Sequence, residues 1–255
     1  MELSKLKAVV SGGASGLGHA VAQRIVAEGG QVAILDVNEA QGRAAADALG
    51  DRARFFRTDV SSDAEVIASV DAAAKAFGGI NLAVSCAGIL GAGRVLGREG
   101  PMAGEFFAKV IMVNLVGTFQ LAKAAASHMQ HNEPNQEGER GVIVNTASIA
   151  AFEGQVGQAA YSASKAGVAG MALPLAREFA RLGIRVNTIA PGIFLTPMME
   201  GMPEHVQHSL AAQVPFPSRL GRPEEFADMV AVICTSPMLN AETIRLDGAI
   251  RMQPK

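Results

Sequence analysis

Leu6-Lys-Ala-Val-Val10-Ser11-Gly12-Gly13-Ala14-Ser15-Gly16-Leu17-Gly18 is an apolar run that ends in a glycine-rich turn and reopens as an Ala-rich helical pattern. The run at 6–10 reads as a first strand, and the pattern beyond the turn as a helix reaching about Ala27. Glycines between a strand and a helix let the backbone approach a pyrophosphate, which the amide-rich helix N-terminus attracts. A tight structural turn gives the same letters, so the glycines alone leave both readings open. Asp36 narrows them: it closes a second apolar run, 31–35, eighteen residues past Gly18. A carboxylate there accepts hydrogen bonds from an adenosine ribose and repels a 2′-phosphate. No Arg or Lys stands at Val37, Asn38 or 13–15 to offset that repulsion. NAD is therefore expected over NADP.

The same alternation continues down the chain. Glu39–Leu49 reads as a helix, 52–57 as a third strand, and Asp63–Phe77 as a helix opened by Ser61/Ser62 with Glu65 three residues past Ser62. Residues 80–85 read as a fourth strand, and a glycine-rich loop at 88–104 leads into a long helix ending near His131. Residues 142–145 read as the fifth strand and 159–182 as a helix. Pro174 inside that helix sets its ring against the carbonyl of Gly170, and a local kink, not a break, is expected. A sixth strand at 184–189, a helix at 224–234 and a last strand, Thr243–Leu246, complete the pattern. Strand–helix alternation predicts an α/β fold: a Rossmann-type, doubly wound, parallel sheet of about seven strands with helices on both faces. No linker or repeat divides the chain, so one domain is expected over 1–255. The polar stretch 132–140 (NEPNQEGER) reads as a solvated loop. Residues 191–222, with five prolines and helical potential near 204–212, read as a lid.

The chemistry concentrates in 145–165, NTASIAAFEGQVGQAAYSASK, which holds the only tyrosine, Tyr161, with Lys165 four residues on and Ser148 thirteen back. On a helix, Tyr161 and Lys165 share a face. A neighbouring ammonium favours phenolate and lowers the phenol's ordinary value of ~10. Ser148, at the exit of a buried strand, is placed to hydrogen-bond a substrate oxygen. A packing tyrosine, a surface lysine and a loop serine would give the same letters.

Composition bounds the rest. At 255 residues, with 49% apolar and 18% charged, the chain can bury a sizeable core, and its formal charge of −2 makes no case for nucleic acid or an anionic membrane. Cys86 and Cys234 are far apart, lack metal-ligand spacing and fit reduced thiols. The start, MELSKLK, lacks signal- and transit-peptide patterns, and no run approaches the ~18 apolar residues of a span. A cytoplasmic location, no membrane partner and no metal are expected.

The glycine turn, Asp36, Asn114, Ser148, Tyr161-Ser-Ala-Ser-Lys165 and Pro191-Gly192 together resemble the short-chain dehydrogenase/reductase family over essentially the whole chain. The resemblance implies an oxidoreductase that interconverts a secondary alcohol and a ketone, with Asn114, Ser148, Tyr161 and Lys165 as the catalytic set. It implies cofactor contacts at Ser11, Gly12, Ser15, Gly16, Leu17, Gly18 and Asp36, and at Asp59-Val60 beside the adenine. Further contacts are implied at Cys86-Ala87-Gly88, at Tyr161 and Lys165, and at Pro191-Gly192 with Thr196 near the nicotinamide carboxamide. Asn114 is implied to hold a water linking Lys165 to solvent. Two departures stand out: Ser11 replaces the usual threonine, and Ser85-Cys86 replaces Asn-Asn.

Longer stretches, at 36–42, 138–141, 151–158, 214–221 and 244–253, are similar to a branch of that family acting on short 3-hydroxyacyl-CoA as a homotetramer. The loop at 89–104 is not, and a steroid or other alcohol dehydrogenase is the alternative within the family. A nucleotide-binding scaffold without catalysis is the reading from another class, and the intact reactive set counts against it. Gln155 and Gln158 are candidate contacts to a substrate carbonyl. Arg94, Arg98 and Arg219 are candidates for CoA phosphates, with solvated side chains the alternative. His205 and His208 read as a polar helix face.

Overall fold

Strand β1 (Lys7–Ser11) has Ala8, Val9 and Val10 all fully buried, as a central strand covered on both faces requires. The computed structural model describes residues 1–98 and 100–254, with the side chains of all of these except Met198 and Glu200. Glu99, inside the expected loop at 89–104, and Lys255 lie outside the described residues.

Seven strands form one sheet in the order β3-β2-β1-β4-β5-β6-β7, every pair parallel. They are β1, β2 (Gln31–Asp36), β3 (Ala53–Arg57), β4 (Leu82–Ser85), β5 (Gly141–Thr146), β6 (Ile184–Pro191) and β7 (Thr243–Leu246). The order reverses between β1 and β4, and the crevice at their carboxyl ends is where such sheets bind ligands.

Alternate residues of the buried strands face opposite layers. Val10, Ile34, Val84 and Val144 pack with α1 (Gly16–Ala27), α2 (Glu39–Leu49) and α10 (Pro223–Thr235). Val9, Leu35, Ala83 and Ile143 pack with α3 (Asp63–Phe77), α5 (Gly117–Met129) and α7 (Ala172–Phe179). Full burial of one large side chain in such a layer, Leu121 or Phe226, is worth about 1.5–3 kcal/mol.

Several expectations need correction. The long helix is α4 (Gly104–Ile111), a π-helical stretch Met112–Val116, and α5, continuous over Gly104–Met129. By length and composition it qualifies as a membrane span, contrary to the reading of the sequence. Its Leu121, Ala122, Ala125 and Met129 are fully buried against the sheet, as in a core helix. The kink expected at Pro174 falls three residues earlier: α6 (Ala159–Gly170) and α7 meet at Met171, because Pro174 has no N–H to return to the Gly170 carbonyl. Met171 keeps right-handed helical angles, and Leu175 N–H reaches its carbonyl at 3.2 Å.

The polar stretch 132–140 is a surface loop except at Glu139, which is buried and ion-paired to Arg185 at 2.6 Å. The loop after β4 carries a short hairpin, Leu96–Gly97 against Gly100–Pro101. Residues 191–222 form two short helices, α8 (Pro197–Glu200) and α9 (Glu204–Ala211), with Met199, Met202 and Leu210 lining a cleft beneath.

Candidate active site

Two adjoining hollows open at the carboxyl ends of the strands. A groove of about 500 Å³ runs over the glycine turn, lined by Gly12, Ser15, Gly16, Leu17, Gly18, Asp36, Asp59, Val60, Cys86, Ala87, Gly88 and Thr196, among others. A cleft of about 420 Å³ continues from it, lined by Ser148, Tyr161, Lys165, Gln155, Gln158, Pro191, Gly192, Met199, Met202 and Leu210, among others. Leu17, Cys86, Gly88, Ile89 and Thr196 belong to both.

The groove's floor is a backbone surface. Gly12 has φ +65°, and a Cβ there would lie 2.7 Å from the Ala87 nitrogen; one on Gly18 would lie 2.3 Å from the Gly12 oxygen. Ser15 precedes α1 in extended conformation with no side-chain cap bond, so its hydroxyl does not close the helix end. The first amides of α1 thus meet the groove where a diphosphate would lie. Asp36 accepts from the Ala14 N–H at 3.2 Å and the Asn38 N–H at 3.0 Å, which fixes its carboxylate at the adenosine end. Asp59 accepts from the Ser61 hydroxyl at 2.7 Å, and that bond is the main cause of its lowered pKa. A close backbone cradle, an open helix end and a fixed carboxylate make a donor set that fits a nicotinamide dinucleotide.

Ser11 is the exception among the expected cofactor contacts. It is buried and does not line the groove; its hydroxyl accepts from the Ala87 N–H at 3.3 Å and ties the turns after β1 and β4 together. At the Ser85-Cys86 departure, the Ser85 hydroxyl and the Asn145 amide across the sheet find no partner among the described residues. Serine is too short to supply the bonds of an asparagine amide there. Cys86 reaches Thr146 Oγ1 at 3.6 Å, and burial pushes its thiol up to about 11, which leaves it unreactive at neutral pH.

The residues expected to be catalytic come from three elements. Ser148 follows β5 and caps a short 3-10 turn, its oxygen accepting from the Ala150 N–H at 3.1 Å. That leaves its hydrogen free to turn toward the Tyr161 oxygen, whose pKa the serine lowers. Tyr161 and Lys165 share a face of α6, with Nζ 5.8 Å from the ring centroid. Nζ donates to the Thr146 carbonyl at 2.7 Å, and burial pushes the lysine down to about 8.

Tyr161 does not follow the expectation of a phenol made acidic by Lys165. Burial raises its pKa, and the opposing influence is the Ser148 bond. Nζ donates to the Thr146 carbonyl, and desolvation of the phenol prevails. A Ser148→Ala variant should therefore shift the ionisation of Tyr161 further up. In the oxidation direction, where phenolate is needed, the rising limb of kcat/KM against pH should move to higher pH. An unmoved limb would separate Ser148 from the base.

Asn114 lies in the π-helical stretch, fully buried. Its amide accepts from the Ile89 N–H at 2.8 Å and donates to the Ile89 carbonyl at 2.9 Å and Ser164 Oγ at 3.1 Å. A π turn widens the helix by one residue, a distortion common at functional sites. Here it lets one side chain pin the loop after β4 to α6. Ser164 in turn donates to the Tyr161 carbonyl at 2.7 Å.

The fold does not bring every other candidate to chemistry. Gln158 accepts from the Gln155 N–H at 3.0 Å, and Gln155 donates to the Gln253 carbonyl at 2.9 Å, so both line the cleft while bracing its wall. Arg219 is paired with Glu225 at 2.6 and 2.9 Å. Arg94 and Arg98 are exposed in the loop after β4, and His205 and His208 are exposed on α9.

A half-buried phenol, a serine hydroxyl that lowers its pKa and a lysine one turn away, in a cleft continuous with the groove over the glycine turn, form an arrangement suited to proton exchange beside a hydride transfer. Residues 6–207 match the family described as short chain dehydrogenase. The chain belongs to the short-chain dehydrogenase family.

Its relatives in that family match nearly end to end. The chain is 53% identical over 98% of its length to 3-hydroxyacyl-CoA dehydrogenase type-2 of Homo sapiens, covering 96% of that protein. It is 52% identical, with the same coverage, to the Bos taurus protein of that name. The crystal structure of 3-hydroxyacyl-CoA dehydrogenase type-2 from Mycobacterium avium superposes with a TM-score of 0.93 at 47% identity, covering 97% of this chain and 96% of that one. The chain is thus a short-chain dehydrogenase, an oxidoreductase acting on CH–OH groups. Sequence reasoning missed Ser164, Thr146 and Met252, all of which touch this short-chain dehydrogenase site or its supports. Ser164 lay in plain view between Tyr161 and Lys165; no sequence signal marks a backbone carbonyl such as that of Thr146.

Proposed function

We propose that the chain is an NAD-dependent dehydrogenase interconverting the 3-hydroxy and 3-keto forms of short acyl-CoA thioesters. The observation that carries the substrate is the extent of the likeness. Relatives named 3-hydroxyacyl-CoA dehydrogenase type-2 are 52% and 53% identical over 98% of the chain, a span that takes in nearly all the cleft's walls. The cofactor preference rests on Asp36, whose carboxylate faces the groove with no Arg or Lys among the groove-lining residues to neutralise a 2′-phosphate.

When bound, the nicotinamide takes the hydride from the carbinol carbon or returns it. The glycine turn and the start of α1 would hold the diphosphate, Asp36 the adenosine ribose, Lys165 the nicotinamide ribose, and Pro191, Gly192 and Thr196 the carboxamide. In oxidation Tyr161, as phenolate, takes the hydroxyl proton; in reduction it gives the proton to the carbonyl oxygen. Ser148 donates to that same oxygen as its charge changes, and loss of one such donor costs about 2.7–4 kcal/mol. Lys165 holds positive charge near the phenol, and Asn114 and Ser164 fix the elements that carry the pair.

The test is a substrate panel followed by NADH absorbance: acetoacetyl-CoA against steroids and simple ketones, each with NADH and NADPH. Acetoacetyl-CoA should be reduced with NADH at least about tenfold better than with NADPH, each ~1.4 kcal/mol of repulsion being a factor of ten. Equal use of NADPH would overturn the cofactor preference. Reduction of a steroid or ketone with no rate on the thioester would overturn the substrate.

A further inference from the structure

We propose that residues 250–253 form a wall of the acyl subsite, that Met252 sets the acyl length accepted, and that Glu153 is the positioning residue that holds it. The inference rests on the acyl-CoA reading of the cleft.

Met252 lines the cleft alongside Ile149 and Ile193, and Ile149 directly follows Ser148. The segment that presents it is built in, not draped. Ile250 is fully buried against Ile149 and Val214, with Met252 and Ile193 packed on the same cluster. Three hydrogen bonds then tie the segment to the loop between Ser148 and Tyr161. Met252 N–H donates to Glu153 Oε2 at 3.1 Å, Gln155 Nε2 donates to the Gln253 carbonyl at 2.9 Å, and Val156 N–H donates to the Pro254 carbonyl at 3.0 Å.

Glu153 is the hub of this clasp. Arg245 on β7 grips both its oxygens, at 2.7 and 3.2 Å, and donates to the Ile250 carbonyl at 3.1 Å. Arg245 also donates to Asp247 at 2.7 Å and lies over the Phe152 ring at 5.5 Å from its centroid. One carboxylate thus fixes both the loop bearing Ser148 and the backbone of Met252. None of these groups touches the Tyr161 phenol, so their effect is on which substrate fits. A thioether side chain is long and adaptable, and suits a wall that meets an aliphatic tail.

The experiment compares kcat/KM for 3-ketooctanoyl-CoA and acetoacetyl-CoA with NADH, as a ratio within each variant, so that loss of folded protein cancels. Met252→Ala should raise the long-to-short ratio at least roughly tenfold, the scale of one methylene in an apolar pocket, and Met252→Phe should lower it. Glu153→Ala should move the ratio in the direction of Met252→Ala, and Glu153→Gln, which keeps an acceptor for the Met252 N–H, should move it less. Adding Met252→Ala to Glu153→Ala should bring little further change, because the two act through one contact. Unchanged ratios in both Met252 variants would overturn the inference. If the wild type reduces neither thioester, the functional reading fails; the same variants are then compared on 2-octanone and 2-butanone, where an unchanged ratio again overturns the wall.

Discussion

A Tyr161→Phe variant should lose turnover by at least the roughly 10²–10⁴-fold that a positioned proton donor and acceptor contributes, while binding NADH nearly as the wild type does. The substitution removes one oxygen from a half-buried ring and leaves its packing intact. Ser148 keeps its bond from the Ala150 N–H, and Lys165 keeps its bond to the Thr146 carbonyl. The groove over the glycine turn is not lined by the phenol at all. With no group left to exchange a proton with the substrate oxygen, hydride transfer would leave a bare alkoxide beside Ser148. Steady-state rates and an NADH fluorescence titration on the same preparation check both halves. Retained turnover would remove Tyr161 from the chemistry.

The second large effect is on stability, at the other end of the sheet. Arg185, the second residue of β6, and Glu139 form a buried pair at 2.6 Å. The guanidinium also donates to the carbonyls of Leu239 at 2.6 Å and Cys234 at 3.2 Å, while the Met1 ammonium at 3.0 Å and Asn135 at 3.2 Å donate to the other oxygen of Glu139. Arg185→Met takes the guanidinium from the buried carboxylate and leaves it only the Met1 ammonium, at 3.0 Å, and should cost about 3 kcal/mol, the low end for a broken buried pair. A Glu139→Leu/Arg185→Met double variant should recover part of that loss, since the buried carboxylate is gone and the Met1 ammonium keeps its bond to the Cys234 carbonyl at 2.8 Å. Urea unfolding measures both. Because the catalytic groups sit at the strands' opposite ends, kcat per folded molecule should stay at the wild-type value in either variant. A double variant less stable than Arg185→Met would show that the pair itself, not the stranded charge, sets the cost.

Most of the fold was legible because it is written in apolar period and glycine position. Glu39–Leu49, Asp63–Phe77 and Thr243–Leu246 fall where the pattern places them, and the Ser62 oxygen accepts from the Glu65 N–H as the cap spacing requires. The strand ends are less clear in the sequence. Ser11 reads as the start of a turn, yet it pairs in register with Ser85, and polar residues at a buried carboxyl edge look like loop. The π-helical turn at Met112–Val116 is invisible, since an added residue within a turn leaves the apolar pattern helical.

The site shows the same division. Ser148, Tyr161 and Lys165 share one stretch of chain, so spacing alone brings them together. What moves the phenol's pKa is burial, a property of the assembled core, and adjacency to a lysine pointed the other way. Glu139 looked like one more charge in a polar loop because its partners lie far off in sequence, Arg185 forty-six residues on and the Met1 ammonium at the chain's start. Met252 reaches the cleft from the segment after β7, across a sequence distance that no local pattern spans.

The central claim is hydride exchange between a nicotinamide and a CH–OH carbon at Tyr161. Its most direct test incubates the wild type and Tyr161→Phe with acetoacetyl-CoA and NADH deuterated on the nicotinamide ring, in separate samples of each C4 epimer. One epimer should deliver deuterium to the hydroxyl-bearing carbon of the product with the wild type, and neither should with Tyr161→Phe. Deuterium in the product from Tyr161→Phe at the wild-type rate, or none from the wild type with either epimer, would contradict it.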